Sequence, residues 1–256
     1  MLNDFELNDE EMHLYSRQIL LEDWDLEAQE KLKLANVLIV GCGGIGCQTA
    51  ELLARAGVGK ITLCDADQVE LSNVQRQVAF SQQHVGAYKA EVLAERIKSI
   101  NPNIEVVAHT QALQEHNAAD WLQGQDLILD GCDNFQTRYL VNRTCVEQAL
   151  PYISASAIAY RGQMFMVTAD SACYACLFPE QDATDQELRC ADTGVLATTP
   201  NVMASLQAHH ALLYLGLGET PLAAKLLLWD GRSMQQKIRS FLADEDCLIC
   251  QARSHC

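Results

Sequence analysis

The apolar run Val37-Leu38-Ile39-Val40 leads into Gly41-Cys42-Gly43-Gly44-Ile45-Gly46, a strand followed by a glycine-rich turn and a helix start. Such a turn suits a nucleotide phosphate, because small residues let helix N-terminal amides approach the anion. Asp65 closes the next apolar run, Ile61-Thr62-Leu63-Cys64, at the spacing of an acid that holds ribose hydroxyls. Spacing alone describes a dinucleotide site. The residues that follow, Ser72-Asn73-Val74-Gln75-Arg76-Gln77 and then Lys89, point elsewhere. Hydride transfer has no need of a guanidinium and an ammonium near the phosphates, whereas attack on a nucleotide phosphate does. Phosphate chemistry is the better reading.

A second pattern is a pair of Cys-x-x-Cys knuckles, Cys173/Cys176 and Cys247/Cys250. Four thiolates from two knuckles can close a tetrahedral zinc site with no open position. The rivals are four unrelated buried cysteines or a redox pair, and neither knuckle sits at the strand-to-helix turn a redox pair occupies. Zinc here would tie the end of the chain back onto the body, in a structural role.

The elements that must position these groups follow from periodicity. Residues 6–34 carry helical spacing and form a lead-in segment. Then strands and helices alternate: strand Val37–Gly41, helix to Ala56, strand Ile61–Asp65, helix Val85–Ile100 with Lys89 in its first turns, strand Glu105–Ala108, strand Asp126–Asp130, helix Phe135–Ala149 and strand Tyr152–Ala155. This alternation predicts a Rossmann-like, mostly parallel α/β sheet with helices on both faces. Beyond Gly162 come strand-like runs Met164–Val167, Leu226–Trp229 and Lys237–Leu242 around one helix, Val202–Leu217, predicting an antiparallel extension of the sheet. No linker divides the chain, so residues 1–256 are read as one domain, with a nucleotide-binding half over 30–160 and a second half over 161–250 that carries the zinc knuckles.

Composition narrows the class. The chain has 256 residues, 49% of them apolar, enough for one large core. With 18 basic and 34 acidic residues the net charge is -16, which disfavours nucleic acid and anionic membranes as partners. The N-terminus lacks the basic and apolar regions of a secretory signal, and no apolar run approaches the roughly 20 residues of a membrane span. Eleven cysteines in such a chain read as thiols and metal ligands of a cytoplasmic protein.

Taken in order, Tyr15-Ser16-Arg17-Gln18-Ile19-Leu20-Leu21, the glycine turn, Leu71-Ser72-Asn73-Val74-Gln75-Arg76-Gln77, Asp130-Gly131-Cys132-Asp133-Asn134 and the two knuckles resemble the ubiquitin-activating-like superfamily, and within it the MoeB/ThiF/HesA adenylyltransferases. The resemblance runs from about Asn8 to Cys250. It implies a homodimer that uses ATP to adenylate the C-terminal Gly-Gly carboxylate of a small ubiquitin-like sulfur carrier protein, for molybdopterin or thiamine biosynthesis. No rhodanese-like module is apparent in the chain, so a separate sulfur-donor protein is implied.

The residues can be weighed against that chemistry independently. A C-terminal carboxylate has a pKa of roughly 3.5 and is ionised at neutral pH, so no general base is needed. The obstacle is an anion approaching a polyanion, and positive charge with positioning must overcome it. Arg76 and Lys89 are the candidates to neutralise the phosphates, Asp133 to hold magnesium there, Asp65 for the ribose, and the amides around Gly43 and Gly44 for the nucleotide. The resemblance gives these positions to ATP and adds Asn73 and Gln75; Gly41, Asp67, Ser72 and Asn134 complete the nucleotide set. It also gives Arg17 to the neighbouring subunit's site and matches Cys190 to a loop cysteine that bonds covalently with the carrier in ThiF-type proteins.

Each assignment has a plainer rival. Asp65 could be a turn acid, Lys89 an exposed partner of Glu91 or Glu95, Asp133 a cap for the helix at Phe135, and Arg17 a surface charge. Asp130, at a strand's C-terminal end, is a second candidate ligand. His209 and His210 are read as packing or surface residues, and Cys42, Cys47, Cys64, Cys132 and Cys145 as small core hydrophobes. For the whole chain, an NAD-dependent oxidoreductase and a non-catalytic scaffold subunit are the alternatives.

Overall fold

The structure, a computed structural model, describes residues 6–179 and 194–255. Three short helices lead in: α1 (Asp9–Leu14), α2 (Ser16–Ile19) and α3 (Asp25–Leu34). Asn8 and Glu11 start α1 with a reciprocal capping box. The sheet then begins with β1 (Asn36–Val40), α4 (Gly46–Ala56), β2 (Lys60–Cys64), α5 (Lys89–Ile100), β3 (Glu105–His109), α6 (Glu115–Leu122), β4 (Leu127–Asp130), α7 (Phe135–Glu147) and β5 (Tyr152–Ile158). It continues through β6 (Arg161–Val167), α8 (Tyr174–Leu177), α9 (Thr198–Leu217), β7 (Lys225–Asp230), β8 (Gln235–Ser240) and α10 (Leu248–Gln251).

The eight strands form one sheet in the order β3-β2-β1-β4-β5-β6-β7-β8. The pairs from β3 to β5 are parallel, and those from β5 to β8 are antiparallel. This is the predicted α/β sheet with its antiparallel extension. Residues of β1 alternate between two cores: Val37 and Ile39 pack with α3, α4, α5 and α9, while Leu38 and Val40 pack with α6, α7 and the cysteine knuckles. Being buried on both faces explains why the strand reads as an unbroken apolar run. The C-terminal ends of the parallel strands are thereby left to carry ligand groups.

Several boundaries differ from expectation. The helix expected from Val85 starts at Lys89, because Gly86 adopts a φ of 91° and Tyr88 bridges back to Gln68. β6 begins at Arg161, three residues before the expected run, and α9 starts at Thr198. β8 occupies 235–240, two residues early; all six of its residues are exposed, so no apolar alternation marked it. Helix α6 was not anticipated from periodicity.

Candidate active site and metal centre

The glycine turn is held by contact as much as by torsion. Gly41 has a φ of 90°, and its α-carbon faces the backbone of Gly131 and Cys132, where an added Cβ would sit 3.0 Å from the Cys132 nitrogen. A Cβ on Gly46 would stand 1.8 Å from the Gly41 carbonyl oxygen, so the first turn of α4 lies directly on the end of β1. Gly44 faces Pro200 of α9 and the Arg76 carbonyl, and Gly43 faces the Gln77 amide. The turn therefore abuts the Asp130–Asn134 loop on one side and the Ser72–Gln77 segment on the other.

Asp65 bridges the ends of two strands. Its Oδ2 accepts the Cys42 N–H at 2.7 Å and its Oδ1 the Asp67 N–H at 2.7 Å. Burial pushes its carboxyl above the usual range, while the two amides and the Lys89 ammonium oppose that shift. Lys89, the first residue of α5, is buried, and its Nζ donates to Asp67 Oδ2 at 2.8 Å; neither Glu91 nor Glu95 pairs with it. An exposed lysine is thus the wrong picture. A buried ammonium needs a counterion, and Asp67, whose side chain is 70% exposed, supplies one at the mouth of the site.

Arg76 is half-buried and donates to the Ser72 carbonyl at 3.1 Å. Asn73 is buried, and its Oδ1 accepts the Glu70 N–H, which shapes the turn that carries Ser72, Gln75 and Arg76. Asp133 is exposed. It does not cap α7: Asn134 does, accepting the Thr137 N–H at 2.8 Å, so the Asp133 carboxylate is left for another role. Gly41, Gly43, Gly44, Asp65, Asp67, Lys89, Arg76, Asp133 and Asn134 are brought together at the strand ends. Arg17 is not among them. It lies exposed on α2, whose Gln18 donates to the Ala56 carbonyl at the far end of α4 from the glycine turn. Cys190 lies outside the described residues.

Asp130 is a framework residue instead of a ligand. It is 1% exposed, and its oxygens accept the Cys132 N–H at 3.0 Å and the Ser154 hydroxyl at 2.6 Å. Arg138, buried beside it, donates to the Cys132 carbonyl at 2.6 Å and the Ala155 carbonyl at 3.2 Å. Asp130 and Arg138 thus hold the backbone N–H and carbonyl of Cys132, the residue before Asp133. Arg138 drew no attention in the sequence, where a charged residue in a helix reads as surface; its spacing of four residues after Asn134 was the available signal.

The four knuckle cysteines converge, with all four sulfurs within 4.8 Å of one another. Cys173 and Cys176 lie 3.8 Å apart, Cys173 and Cys247 3.6 Å, and Cys176 and Cys250 3.4 Å. A tetrahedral site with metal–sulfur bonds of about 2.3 Å has edges of about 3.8 Å, so the donor set fits zinc. The other described cysteines are buried core residues: burial pushes the Cys47 thiol up to about 11 and the Cys64 thiol up to about 12, and raises those of Cys42, Cys132 and Cys145. His209 and His210 meet edge to face, 5.5 Å between ring centroids, and join no metal cluster among the described residues. Among those residues no helix is long and apolar enough to cross a membrane.

Comparison with known proteins identifies the family. The chain is 41% identical over 247 residues to the mouse protein "Adenylyltransferase and sulfurtransferase MOCS3", covering 95% of this chain and 54% of the mouse protein. It spans about half the length of that relative. It is 39% identical over 246 residues to the "Sulfur carrier protein ThiS adenylyltransferase" of Escherichia coli K12, covering 95% of this chain and 97% of the relative. Among solved structures, E. coli MccB with ATP superposes with a TM-score of 0.82 at 27% identity, over 98% of this chain and 77% of the other. The ThiF family pattern matches residues 15–249. The chain belongs to the ThiF family.

Proposed function

We propose that this chain is an adenylyltransferase that activates the C-terminal Gly-Gly carboxylate of a small ubiquitin-like sulfur carrier protein, of the ThiS or MoaD type, in thiamine or molybdopterin biosynthesis. The observation that carries the reading is the pairing of a glycine turn and a ribose-type acid, Asp65, with two cations, Arg76 and Lys89, at the same strand ends. In this reading ATP is the nucleotide and the carrier carboxylate attacks its α-phosphate. A carboxylate oxygen–phosphorus bond forms as the bond to pyrophosphate breaks. Arg76 and Lys89 neutralise the charge gathered on the phosphates. Asp65 holds the ribose; amides of Gly43 and Gly44 line the nucleotide, with Gly41, Asp67, Ser72, Asn73, Gln75 and Asn134 around it. Asp133 would hold magnesium, which supplies positive charge at the phosphates when bound.

The other assignments follow from the same reading. Residues 1–256 work as one adenylyltransferase domain, with the nucleotide handled by 30–160 and the metal and carrier by 161–250. The four-cysteine site holds zinc in a structural role. The working unit is a homodimer in the cytoplasm in which Arg17 serves the partner's site; sulfur comes from a separate donor protein, and Cys190 is the residue that bonds with an activated carrier.

The test is ATP–pyrophosphate exchange with purified ThiS-type and MoaD-type carriers. Exchange that depends on one carrier, and that falls on the order of a hundredfold in Arg76→Ala, is expected. Absence of exchange with both carriers, in folded protein, sinks the proposal.

A further inference from the structure

Asn142 lies in the middle of α7, fully buried, at 0% exposure. Both polar atoms of its carboxamide are engaged. Oδ1 accepts the Tyr152 hydroxyl at 2.8 Å and the Tyr174 backbone N–H at 2.9 Å, while Nδ2 faces the Cys173 sulfur at 3.6 Å. The orientation of this amide is fixed by chemistry: a backbone N–H can only donate, so the oxygen must face Tyr174 and the NH2 must face sulfur. Cys173 is itself fully buried, with Cys176 and Cys247 as its sulfur neighbours. Four thiolates around one divalent ion leave an excess of negative charge on sulfur, and a buried site can offset it only through donors from the protein.

We infer that Asn142 is an outer-sphere residue of the metal centre: its carboxamide donates to the metal-bound Cys173 thiolate and fixes the knuckle through the Tyr174 amide. Groups that hydrogen-bond to metal ligands commonly change affinity by 10–100-fold when removed. Asn142 also anchors the centre to α7, the helix whose start carries Asn134 and Arg138. It is a positioning residue and leaves the adenylation proposal untouched either way.

Asn142→Asp removes the NH2 donor. An ionised aspartate keeps an oxygen for Tyr152 and Tyr174 but faces sulfur with a second, charged oxygen, so Asn142→Ala, which removes the donor without adding charge, is measured beside it. Zinc transfer to a chromogenic chelator, measured on the intact protein, is expected to show about 10–100-fold weaker retention than in the native chain. In the cobalt-substituted protein, the thiolate-to-metal charge-transfer band is expected at lower energy, because a thiolate that loses its donor gives up an electron more easily. Tyr152→Phe removes a different partner of the same carboxamide and is expected to leave retention and band close to native. Native zinc retention or an unmoved cobalt band in Asn142→Asp overturns the inference. So does Tyr152→Phe losing zinc as readily, which would make the role one of packing. Where the aspartate variant does not fold, Asn142→Ala carries the same two readouts, and zinc affinity close to native in that variant is equally fatal.

Discussion

Lys89 and Asp67 form the contact that a nucleotide entering the proposed site would disturb. The Lys89 ammonium is buried, and its counterion is an exposed carboxylate at 2.8 Å. Phosphates entering the site would compete with Asp67 for that ammonium. Asp67→Asn leaves a buried charge without its anion and should destabilise the nucleotide-free protein by about 1–3 kcal/mol, the cost of an unsatisfied buried group. Because ATP then restores an anion, the rise in melting temperature on adding ATP should be larger in Asp67→Asn than in the native protein. Differential scanning fluorimetry with and without ATP reads this, and a smaller rise would show that Asp67 contributes more to holding the nucleotide than its hold on Lys89 takes away. Asp65 and Lys89 were legible in the sequence, because the glycine turn fixes where a following strand end must lie. The partner of Lys89 was not: it depends on the chain at Gly86–Tyr88 folding back towards Asp67, a tertiary event with no periodic signature. Asn142 was hidden for a related reason, since polar residues inside a helix read as surface until the partners that bury them are known.

At the scale of elements, the glycine turn is set by one close approach. Helix α4 can start where it does only if position 46 has no side chain, because a Cβ there would overlap the Gly41 carbonyl oxygen. Gly46→Ala should therefore lower stability by about 1–3 kcal/mol, the usual cost of overpacking, and raise the KM for ATP more than it lowers kcat. Denaturant titration and exchange kinetics check both, and an unchanged KM would mean the turn does not contact nucleotide. Strands β1 and β2 were readable because burial on both faces makes them mostly apolar. β8 carries no such mark, and its place was inferred only approximately. Helix α7 joins the two centres: Asn134 caps it, Arg138 grips the Cys132 peptide, and Asn142 reaches Cys173. The spacing of four residues puts all three on one face, which makes the helix a rigid strut between the Asp133 loop and the metal. None of this was visible as apolar periodicity, since polar residues carry it.

At the scale of the whole molecule, the position of Arg17 poses the sharpest question. Helix α2 is latched to the C-terminal end of α4 through Gln18 and the Ala56 carbonyl, while the glycine turn occupies the N-terminal end. At about 1.5 Å per residue, the eleven residues of α4 separate these ends by about 16 Å, beyond the reach of one arginine side chain. Around Arg17 the apolar side chains of Leu14, Leu20 and Leu21 stand 51%, 76% and 59% exposed, as expected of a face covered by another subunit. The sequence suggested Arg17 only through family resemblance; the latch supplies a physical reason why it would serve a partner's site. Arg17→Ala and Asp133→Ala should each slow pyrophosphate exchange on the order of a hundredfold. In a mixed dimer, the Arg17→Ala subunit keeps its own Asp133 and receives a native Arg17 from its partner, while the other site lacks both groups. Random exchange makes about half the dimers mixed, with one good site each, so about a quarter of all sites should recover. Co-expression or co-refolding of the two variants, with mixed dimers confirmed by mass spectrometry, measures that recovery. Activity that stays at the sum of the two defective proteins would place Arg17 in its own subunit's site or outside the reaction altogether.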